Sequence, residues 1–364
     1  MATMKNASLS PGQIVWLKLR RNRTAMFGLA LLIVLYVGMI FAGFFAPEKY
    51  DHQHRELGWH PPHLTRVHLF DDEGTFHGPF VYGHKRVHPA IAEYEEHRDE
   101  IVPIDFFVRG DTYALVWVFE TNVHFMGSRD PERPLFLFGS DQYGRDVLSR
   151  LFYGSQVSLS VGIIGILISM SLGLFLGGVA GYFGGRVDFV LMRIIEVILS
   201  IPGLYLILTL RQAFGQDLPS TQSYFMIVLV LAFVGWAANA RVVRGMVLAI
   251  KENDYVTAAE ALGVSRARII IKHILPNTFS FAIVTATLYV PYYILSEVAL
   301  SFLGVGIQEP DASWGNMLKD AQNVRNLTDY PWVLTPGYFI FLAAMAFNYV
   351  GDGLRDAADP RSKV

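Results

Sequence analysis

The chain has 364 residues, of which 52% are hydrophobic and only 17% are charged. Soluble domains carry close to a quarter of charged residues, so this composition favours a membrane protein. The absence of cysteine excludes disulfides, thiolate metal sites and cysteine nucleophiles, and the net charge of -2 indicates no class of partner.

Six apolar stretches each approach the roughly 20 residues that a membrane-spanning helix needs. They lie at 25–46, 158–182, 187–210, 224–247, 278–298 and 335–350. The first follows a basic segment, is about twice as long as the apolar core of a signal peptide, and precedes no small-residue cleavage site. We therefore predict an uncleaved first span, and the positive-inside rule makes residues 1–24 a cytoplasmic segment.

Residues 47–137 differ in kind from the spans, because they are rich in His, Pro and acidic residues and hold all but one of the 11 histidines. Two β-rich runs, 104–109 and 113–119, flank Gly110-Asp111-Thr112 and predict a hairpin with its turn there. We interpret 90–100 as a short polar helix. The predicted topology makes this stretch a small mixed α/β extracytoplasmic insertion, and leaves a five-helix core at 138–364.

The histidines leave a metal site open as an alternative. His84 and His88 would share one face of a helix, and histidine is a common zinc ligand. Pro89 follows His88 directly and disfavours a helix there, and no complete ligand set with a known spacing is present. The sequence therefore favours a polar, histidine-rich surface, and we predict no metal site.

Charged and helix-breaking residues inside the spans predict ion pairs and kinks. Charges at membrane depth face protein or water, and Arg193 and Glu196 are spaced to pair on one helix face. Pro202 predicts a kink in the third span, and Pro291 with Glu297 predicts another in the fifth. The second span carries small residues that predict close helix packing rather than a pore lining, namely Gly162, Gly165, Gly173, Gly177 and Gly181.

Several catalytic and nucleotide-binding motifs are missing. No lysine follows a glycine, so the chain has no GxxxxGK[ST] phosphate loop. HExxH and GxSxG are also absent, and no set of acid, base and nucleophile is recognisable. We therefore predict no catalytic residues and no ATP bound by this chain, and an intramembrane enzyme is disfavoured.

Residues 252–277 lie between the fourth and fifth spans and are polar, basic and partly helical. Gly263 permits a sharp turn at a helix C-terminus, and Pro276 starts the next span. Ala258 and Ala259 are small enough for a partner to approach closely. Both a docking surface and an ordinary amphipathic loop fit these residues. Counting four crossings and the basic end of the fourth span both place the loop in the cytoplasm.

The loop resembles the cytoplasmic EAA loop of ABC importer permeases, whose pattern is EAA, three residues, Gly, nine residues and I-x-L-P. The residues that match are Ala258, Ala259, Gly263, Leu275 and Pro276. Thr257 stands where Glu is usual, and His273 stands where Ile is usual. Glu260 shares a face with Thr257 and could supply the charge. The resemblance implies that these eight residues couple the chain to an ATPase.

The resemblance extends over nearly all of the chain except about 48–133. Residues 138–154 look like the G-T-D-x-x-G-R-D-x-L-S-R segment of dipeptide and oligopeptide permeases. Further similar segments are 181–185 with Asp188, 192–202, 300–304 with 313–315, and 347–361. The basic N-terminus is similar to that of the C-type subunit of this family. Most members have a shorter first outer loop, so the role of the insertion is not implied by the family.

The resemblance implies an all-α polytopic membrane protein with six transmembrane helices of the type I ABC importer permease fold. Its implied partners are a homologous B-type permease, two cytoplasmic ATPases that carry ATP and Mg, and an extracytoplasmic solute-binding protein, with no nucleic acid. Both termini would be cytoplasmic, in a bacterial or archaeal inner membrane. Within the spans, Glu196, Pro291 and Glu297 are the candidates for the translocation pathway.

The cargo stays open among the uses of this subfamily, which are di- and oligopeptides, oligosaccharides, nickel and opines. We take peptides as the main hypothesis. An alternative of another class is a membrane-anchored sensor or binding protein in which the insertion is the ligand domain. The loop at 252–277 and the six-span layout favour the importer over this alternative.

Overall fold

The computed structural model describes residues 11–88, 91–130, 132–213 and 219–358. Among them the α-helices are α1 (Pro11–Arg21), α2 (Arg23–Ile40), α3 (Ala42–Phe45), α4 (Val147–Phe183), α5 (Gly185–Ser200), α6 (Gly203–Ala213), α7 (Ser220–Ile250), α8 (Asp254–Ala261), α9 (Arg266–Ile269), α10 (Phe279–Phe302), α11 (Trp314–Met317), α12 (Val324–Asp329) and α13 (Thr335–Ala358). The strands are β1 (His68–Phe70), β2 (Phe76–His88), β3 (Ile91–Pro103), β4 (Asp105–Leu115) and β5 (Phe119–Gly127). Residues 1–10 of the N-terminal segment and the end of the 347–361 segment lie outside the described residues.

Five helical stretches are long and apolar enough to cross a membrane, counted over the described residues. They are Arg23–Ile40, Val147–Phe183, Thr221–Ile250, Arg266–Phe302 and Pro331–Ala358. The predicted third span is instead divided between α5 and α6, because Ile201 is extended (φ -91°, ψ 128°) before Pro202. Proline lacks the amide donor that would continue the helix, so the predicted kink is a complete break. By contrast, α10 runs through Pro291 without interruption.

The core is a helix bundle in which α4 packs along α7 and α10 packs against both α4 and α13. Glycines make these approaches possible. A Cβ at Gly177 would lie 2.5 Å from the carbonyl oxygen of Ala240, and one at Gly165 would lie 2.6 Å from the ring of Tyr293. No side chain fits at such distances. The predicted role of the span glycines in close helix packing is therefore confirmed.

The insertion is built from strands, and the prediction of a helix at 90–100 is wrong. Residues 91–103 form β3, which pairs antiparallel with β2 beside β1. One of the charged side chains that suggested a helix, Glu95, instead lies opposite Lys85 across the ladder, and a pair of opposite charges stabilises strand pairing. In the described residues the insertion holds two 3-10 turns, Arg55–Leu57 and Leu64–Arg66, and no α-helix between β1 and β5. It is therefore not the mixed α/β unit that we predicted.

The predicted hairpin is wrong, because its two predicted strands, 104–109 and 113–119, lie largely within the single strand β4, which forms a hairpin with β5 instead. Residues 110–112 lie inside β4, where the register with β5 shifts, and the turn falls at Val116 and Trp117, whose φ angles are 51° and 58°. Residues 116–118 connect the strands, and positive φ angles at two successive turn positions are usually found at Gly or Asn. Because Val and Trp favour strands, the sequence pattern continued the strand through the real turn.

Three histidines of the insertion, His60, His63 and His84, pack around one another with ring centroids between 4.7 and 5.2 Å apart. Burial lowers the pKa of His63 to about 3, and the charges of His84 and Arg66 act in the same direction. Burial also lowers the pKa of His60. His63 accepts a hydrogen bond at Nδ1 from the backbone N–H of Phe136 (3.1 Å). These imidazoles are therefore neutral parts of the packed interior of the insertion.

This packing predicts that the insertion loses stability in acid. The unfolded chain would protonate His63 below a pKa of about 6.5, whereas the folded chain resists protonation down to about 3. Stability is thus fully present above pH 6.5 and falls as the pH drops towards 3, by about 2 kcal/mol at pH 5 from this residue. We expect His63→Asn, whose Oδ1 can accept from Phe136, to flatten the dependence of the unfolding temperature on pH between 6.5 and 4.5. If the unfolding temperatures of the variant and the wild type fell equally with pH, His63 would not be the origin of the acid sensitivity.

Candidate functional site

The loop at 252–277 forms a compact helical hairpin at the end of the bundle opposite the insertion. Helix α8 is followed by a turn, by α9, and by a π-helical and a 3-10 turn, Ile270–Ile274 and Leu275–Thr278, that lead into α10. The predicted order of helix, glycine turn and second helical segment is confirmed. The exit from α8 is a Schellman motif, because Gly263 N–H donates to Glu260 O (2.9 Å) and Val264 N–H donates to Ala259 O (3.1 Å).

Gly263 sets the geometry of this turn, since its φ is +72° and a Cβ there would meet nothing within 4 Å. We expect Gly263→Ala to destabilise the loop by about 1 kcal/mol, because an L side chain strains a left-handed backbone. Gly245 on α7 also has nothing within 4 Å but lies in a helix without a positive φ. Gly245→Ala should therefore stabilise its helix slightly. Hydrogen exchange of the loop amides measures the first effect and exchange of the α7 amides measures the second. Equal responses of the loop amides to the two substitutions would contradict the assignment.

The loop has an inner and an outer face. Val256, Ala259, Ile269 and Ile274 are buried in one cluster with Val243 and Val247 of α7. Ala259 thus serves to seat α8 on the bundle in this structure, and its neighbour Ala258 points outward. The other predicted coupling residues divide as follows: Thr257, Glu260, Gly263 and Pro276 are exposed, and His273 and Leu275 are half-buried. Glu260 accepts a hydrogen bond from the Tyr182 hydroxyl (2.8 Å).

Three large apolar side chains on the outer face were missed by the sequence analysis. Leu262 is 83% exposed, Ile271 is 63% exposed and Tyr255 is 45% exposed. Helical spacing did not predict the exposure of Leu262, because it lies three residues after the buried Ala259 and follows the end of α8 at Ala261. Neighbouring basic residues Arg266 and Arg268 are also exposed. Exposed apolar side chains surrounded by polar residues are typical of a contact surface for another protein when they are contiguous.

The three candidates for a translocation pathway are not brought together. Glu297 is fully buried and accepts hydrogen bonds from Ser158 (2.8 Å) and Ser301 (2.7 Å). It therefore ties α10 to α4. Glu196 lies on an exposed face, where it pairs with Arg193 at 2.6 Å as predicted. Pro291 is buried within α10.

A cavity of about 790 Å³ opens instead at the end of the bundle that carries the insertion. Its walls come from α2, α4 and α7, from the segment before α11 and from the β4–β5 turn. The lining residues are Met39, Tyr50, Trp117, Tyr153, Gln156, Val157, Ser160, Ile164, Thr221, Tyr224, Phe225, Ile307, Asp311 and Ala312. Its polar groups are held by hydrogen bonds: Tyr50 donates to Asp311 (2.8 Å), and Ser160 bonds Tyr224 (2.8 Å). Burial, together with the bond to Asp311, raises the pKa of Tyr50, so its phenol remains a donor.

This cavity was not predicted, although Gln156 and Ser160 gave a signal. They are four residues apart on α4 and so share a helix face. Polar side chains inside an apolar span face protein or water. The other walls come from segments far away in the chain, and no pattern within one segment predicts that they meet. The mixture of aromatic, hydroxyl and carboxylate groups suits a polar ligand with apolar side chains.

A buried ion network stands beside this cavity and is formed by the 138–154 segment. Arg145 and Arg150 are 3% and 2% exposed. Arg145 donates to Asp141 (2.6 Å), and both arginines bond Glu309. Burial and repulsion by Asp141 and Glu309 raise the pKa of Asp320 to about 6. These charges are arranged to join segments of the chain, and they include no acid, base and nucleophile in reach of one another.

Two models of known protein families match most of the chain. A family model described as "Binding-protein-dependent transport system inner membrane component" matches residues 173–364. A second model, described as the "N-terminal TM domain of oligopeptide transport permease C", matches residues 10–62.

Two relatives are informative about length. The "Oligopeptide transport system permease protein OppC" of Haemophilus influenzae is 40% identical over 245 residues, 67% of this chain and 76% of the relative. The "Dipeptide transport system permease protein DppC" of Bacillus subtilis is 36% identical over 360 residues, 99% of this chain and 88% of the relative, so that alignment extends across the insertion. A solved structure titled "Crystal structure of an amino acid ABC transporter with histidines" is 19% identical, with a TM-score of 0.42, over 56% of this chain and 91% of that chain.

Proposed function

This chain belongs to the family of binding-protein-dependent transport system inner membrane components, and we propose that it is the permease subunit of an ATP-driven importer for peptides. The observation that carries the proposal is the outer face of the 252–277 loop. It presents Ala258 and the 83% exposed Leu262 on a chain that has no phosphate loop of its own. Because the chain belongs to this transport family, we infer that another protein supplies the energy and docks on this face. Peptides as the cargo follow from the names of the oligopeptide and dipeptide permeases that the chain resembles.

The proposed topology has six crossings, with both termini and the loop at 252–277 in the cytoplasm and residues 47–137 outside. Helices α5 and α6 together would form the crossing that Pro202 interrupts, which completes the six-helix arrangement of a type I importer permease. The charges support this orientation. Arg20, Arg21 and Arg23 precede the first span, and Arg241 and Arg244 lie near the end of α7. Basic residues concentrate on the cytoplasmic side of membrane proteins.

The proposed machine contains a homologous B-type permease, two ATPases and an extracytoplasmic solute-binding protein. The ATPases would carry ATP and Mg, and this chain would bind no cofactor. Closure of the ATPases would move α8 and, through its buried seat on Val243 and Val247, would move α7 and the core around it. Rigid movement of helix groups is an established way to switch a pathway between two openings.

The cavity of about 790 Å³ is the proposed entrance for the peptide on this subunit. It lies at the end that the topology places outside, and its bonded hydroxyl and carboxylate groups could meet peptide amides and termini. These lining residues are better placed for the pathway than Glu297, which is fully enclosed.

The insertion would contact the solute-binding protein or cover the outer mouth of the pathway. The β4–β5 turn supports this role, because Trp117 lines the cavity and the adjacent Val118 and Phe119 are 72% and 69% exposed. Wild-type uptake and wild-type docking after deletion of residues 50–130 would contradict it.

The proposed function is tested by purifying the full chain with its partners from the membrane and reconstituting the complex in vesicles. We expect an ABC ATPase to co-purify, and we expect ATP-dependent uptake of labelled di- or oligopeptides that unlabelled peptide suppresses. Uptake of nickel or an oligosaccharide that peptide does not suppress would support the importer but contradict peptides as its cargo. Absence of any ATPase from the purified complex would contradict the importer itself.

A further inference from the structure

Two histidines and two carboxylates converge where the chain leaves α3 and meets the β4–β5 hairpin. One ligand atom each from Glu48, His52 and His54 lies within 4.8 Å of the other two. Nε2 of His54 is 2.9 Å from a carboxylate oxygen of Glu48. Asp111 approaches from β4 and places Oδ2 3.5 Å from Nδ1 of His52. The group thus draws ligands from two segments that are far apart in the chain.

Two contacts in this group have the spacing of neighbouring ligands around a single small cation. The rings of His52 and His54 stack at 4.7 Å with an interplanar angle of 10°, so one ring would turn to bring both nitrogens to the same ion. Four ligands at the zinc–nitrogen and zinc–oxygen distances of about 2.0–2.1 Å stand about 3.3 Å from one another in a tetrahedron. The two His–carboxylate distances, 2.9 and 3.5 Å, bracket that value. The four residues also line a cavity of about 260 Å³, which gives an ion access. Imidazole and carboxylate together are a ligand set suited to zinc.

The second histidine cluster of the insertion, His60, His63 and His84, is less suited to a metal. Nδ1 of His63 accepts a hydrogen bond from Phe136 N–H, so the neutral ring carries its proton on Nε2. Arg66 Nη1 lies 2.6 Å from Nε2 of His84 and brings a positive charge to the cluster. Only His60, whose Nδ1 contacts Pro61 O at 2.8 Å, keeps a nitrogen with a free lone pair. The two carboxylates of the first cluster supply instead the negative charge that a cation needs.

We propose that Glu48, His52, His54 and Asp111 form a zinc-binding site in the insertion. The ion would replace the direct His–carboxylate contacts and fasten the 48–54 segment to the hairpin. That segment is already held from its other side, because His54 N–H donates to Gly144 O (3.2 Å) and Arg150 donates to Tyr50 O (3.2 Å). A bound ion would therefore fix the position of the hairpin against the segment that contains the buried ion network.

The test measures zinc on the full-length chain, purified in detergent with a tag that contains no histidine and treated with a chelator. We expect titration with Zn²⁺ to give one ion per chain, and Co²⁺ to give the visible absorption of a tetrahedral site. His54→Ala and Glu48→Gln should each weaken binding at least about tenfold, since even partners outside the ligand set are worth 10- to 100-fold.

The matched control is His77→Ala. His77 also pairs with a carboxylate, Asp71 at 2.8 Å, in the same insertion but outside the four-residue cluster, and its removal should leave zinc affinity unchanged. Unaltered thermal unfolding of His54→Ala without zinc would show that the variant is folded. Zinc binding that survives His54→Ala and is lost in His84→Ala would overturn the proposal in favour of the other cluster. No saturable binding to the wild-type chain would overturn it outright. Neither result depends on transport, so each can be told from a failure of the proposed function.

Discussion

Replacement of Leu262 by aspartate is expected to abolish ATP-dependent uptake while the chain stays folded and inserted. Leu262 is 83% exposed, so it contributes almost nothing to the stability of the isolated subunit. Burial of a leucine against a partner contributes about 1.5–3 kcal/mol, and a carboxylate in the same place would also have to be desolvated. We therefore expect the affinity for the ATPase to fall by about 10- to 100-fold, since every 1.4 kcal/mol is tenfold. The measurement is the amount of ATPase retained on the purified permease, together with uptake in vesicles.

Val324→Asp is the control for this substitution. Val324 is 75% exposed on α12, which follows α10 at the end opposite the 252–277 loop. The same change in polarity there should leave ATPase retention unaltered. Equal retention by Leu262→Asp and the wild type would show that the outer face of α8 is not the docking surface. A general defect in insertion would instead lower the membrane content of both variants.

The helical core could be predicted largely from local sequence, because its physical causes are local. Long apolar runs identify the spans, and Pro202 explains the break between α5 and α6. Gly263 predicts the turn after α8, and its φ in the structure is +72°. The division of the loop into faces was not predicted, since it depends on which side of α8 meets Val243 and Val247. As a result Ala259, expected to be open to a partner, lies inside.

The insertion was predicted poorly because its structure depends on partners distant in sequence. The charged residues at 91–103 become a strand only beside β2, and Val116 and Trp117 form a turn against their own preference. Likewise, Glu48, His54 and Asp111 have no regular spacing, and Asp111 meets the segment after α3 from β4, where it accepts a hydrogen bond from Lys49 N–H (3.1 Å). Sites assembled from several segments therefore have no local motif, whereas the loop at 252–277 has one.

Replacement of Arg150 by methionine is expected to destabilise the chain on the order of 3 kcal/mol. Arg150 is 2% exposed and bonds Glu309 (3.2 Å) and the carbonyl oxygens of Tyr50 and Pro310 (both 3.2 Å). Methionine fills the space but leaves both carbonyls without this donor, at about 1–3 kcal/mol for each buried group. The loss of the contact with Glu309 adds less, because that side chain is 41% exposed and screened by solvent. Thermal unfolding of the detergent-solubilised chain should show a midpoint lower by several degrees.

Arg193→Met removes the same kind of side chain from an exposed pair, Arg193 and Glu196 at 64% and 49% exposure. Such pairs contribute less than about 1 kcal/mol, so its midpoint should stay near that of the wild type. Arg150→Lys separates charge from geometry: a single ammonium keeps the charge but cannot reach Glu309 and both carbonyls as the planar guanidinium does. We expect it to recover only part of the loss. Full recovery with lysine would mean that charge alone is required, and equal midpoints for Arg150→Met and Arg193→Met would show that the network does not hold these segments together.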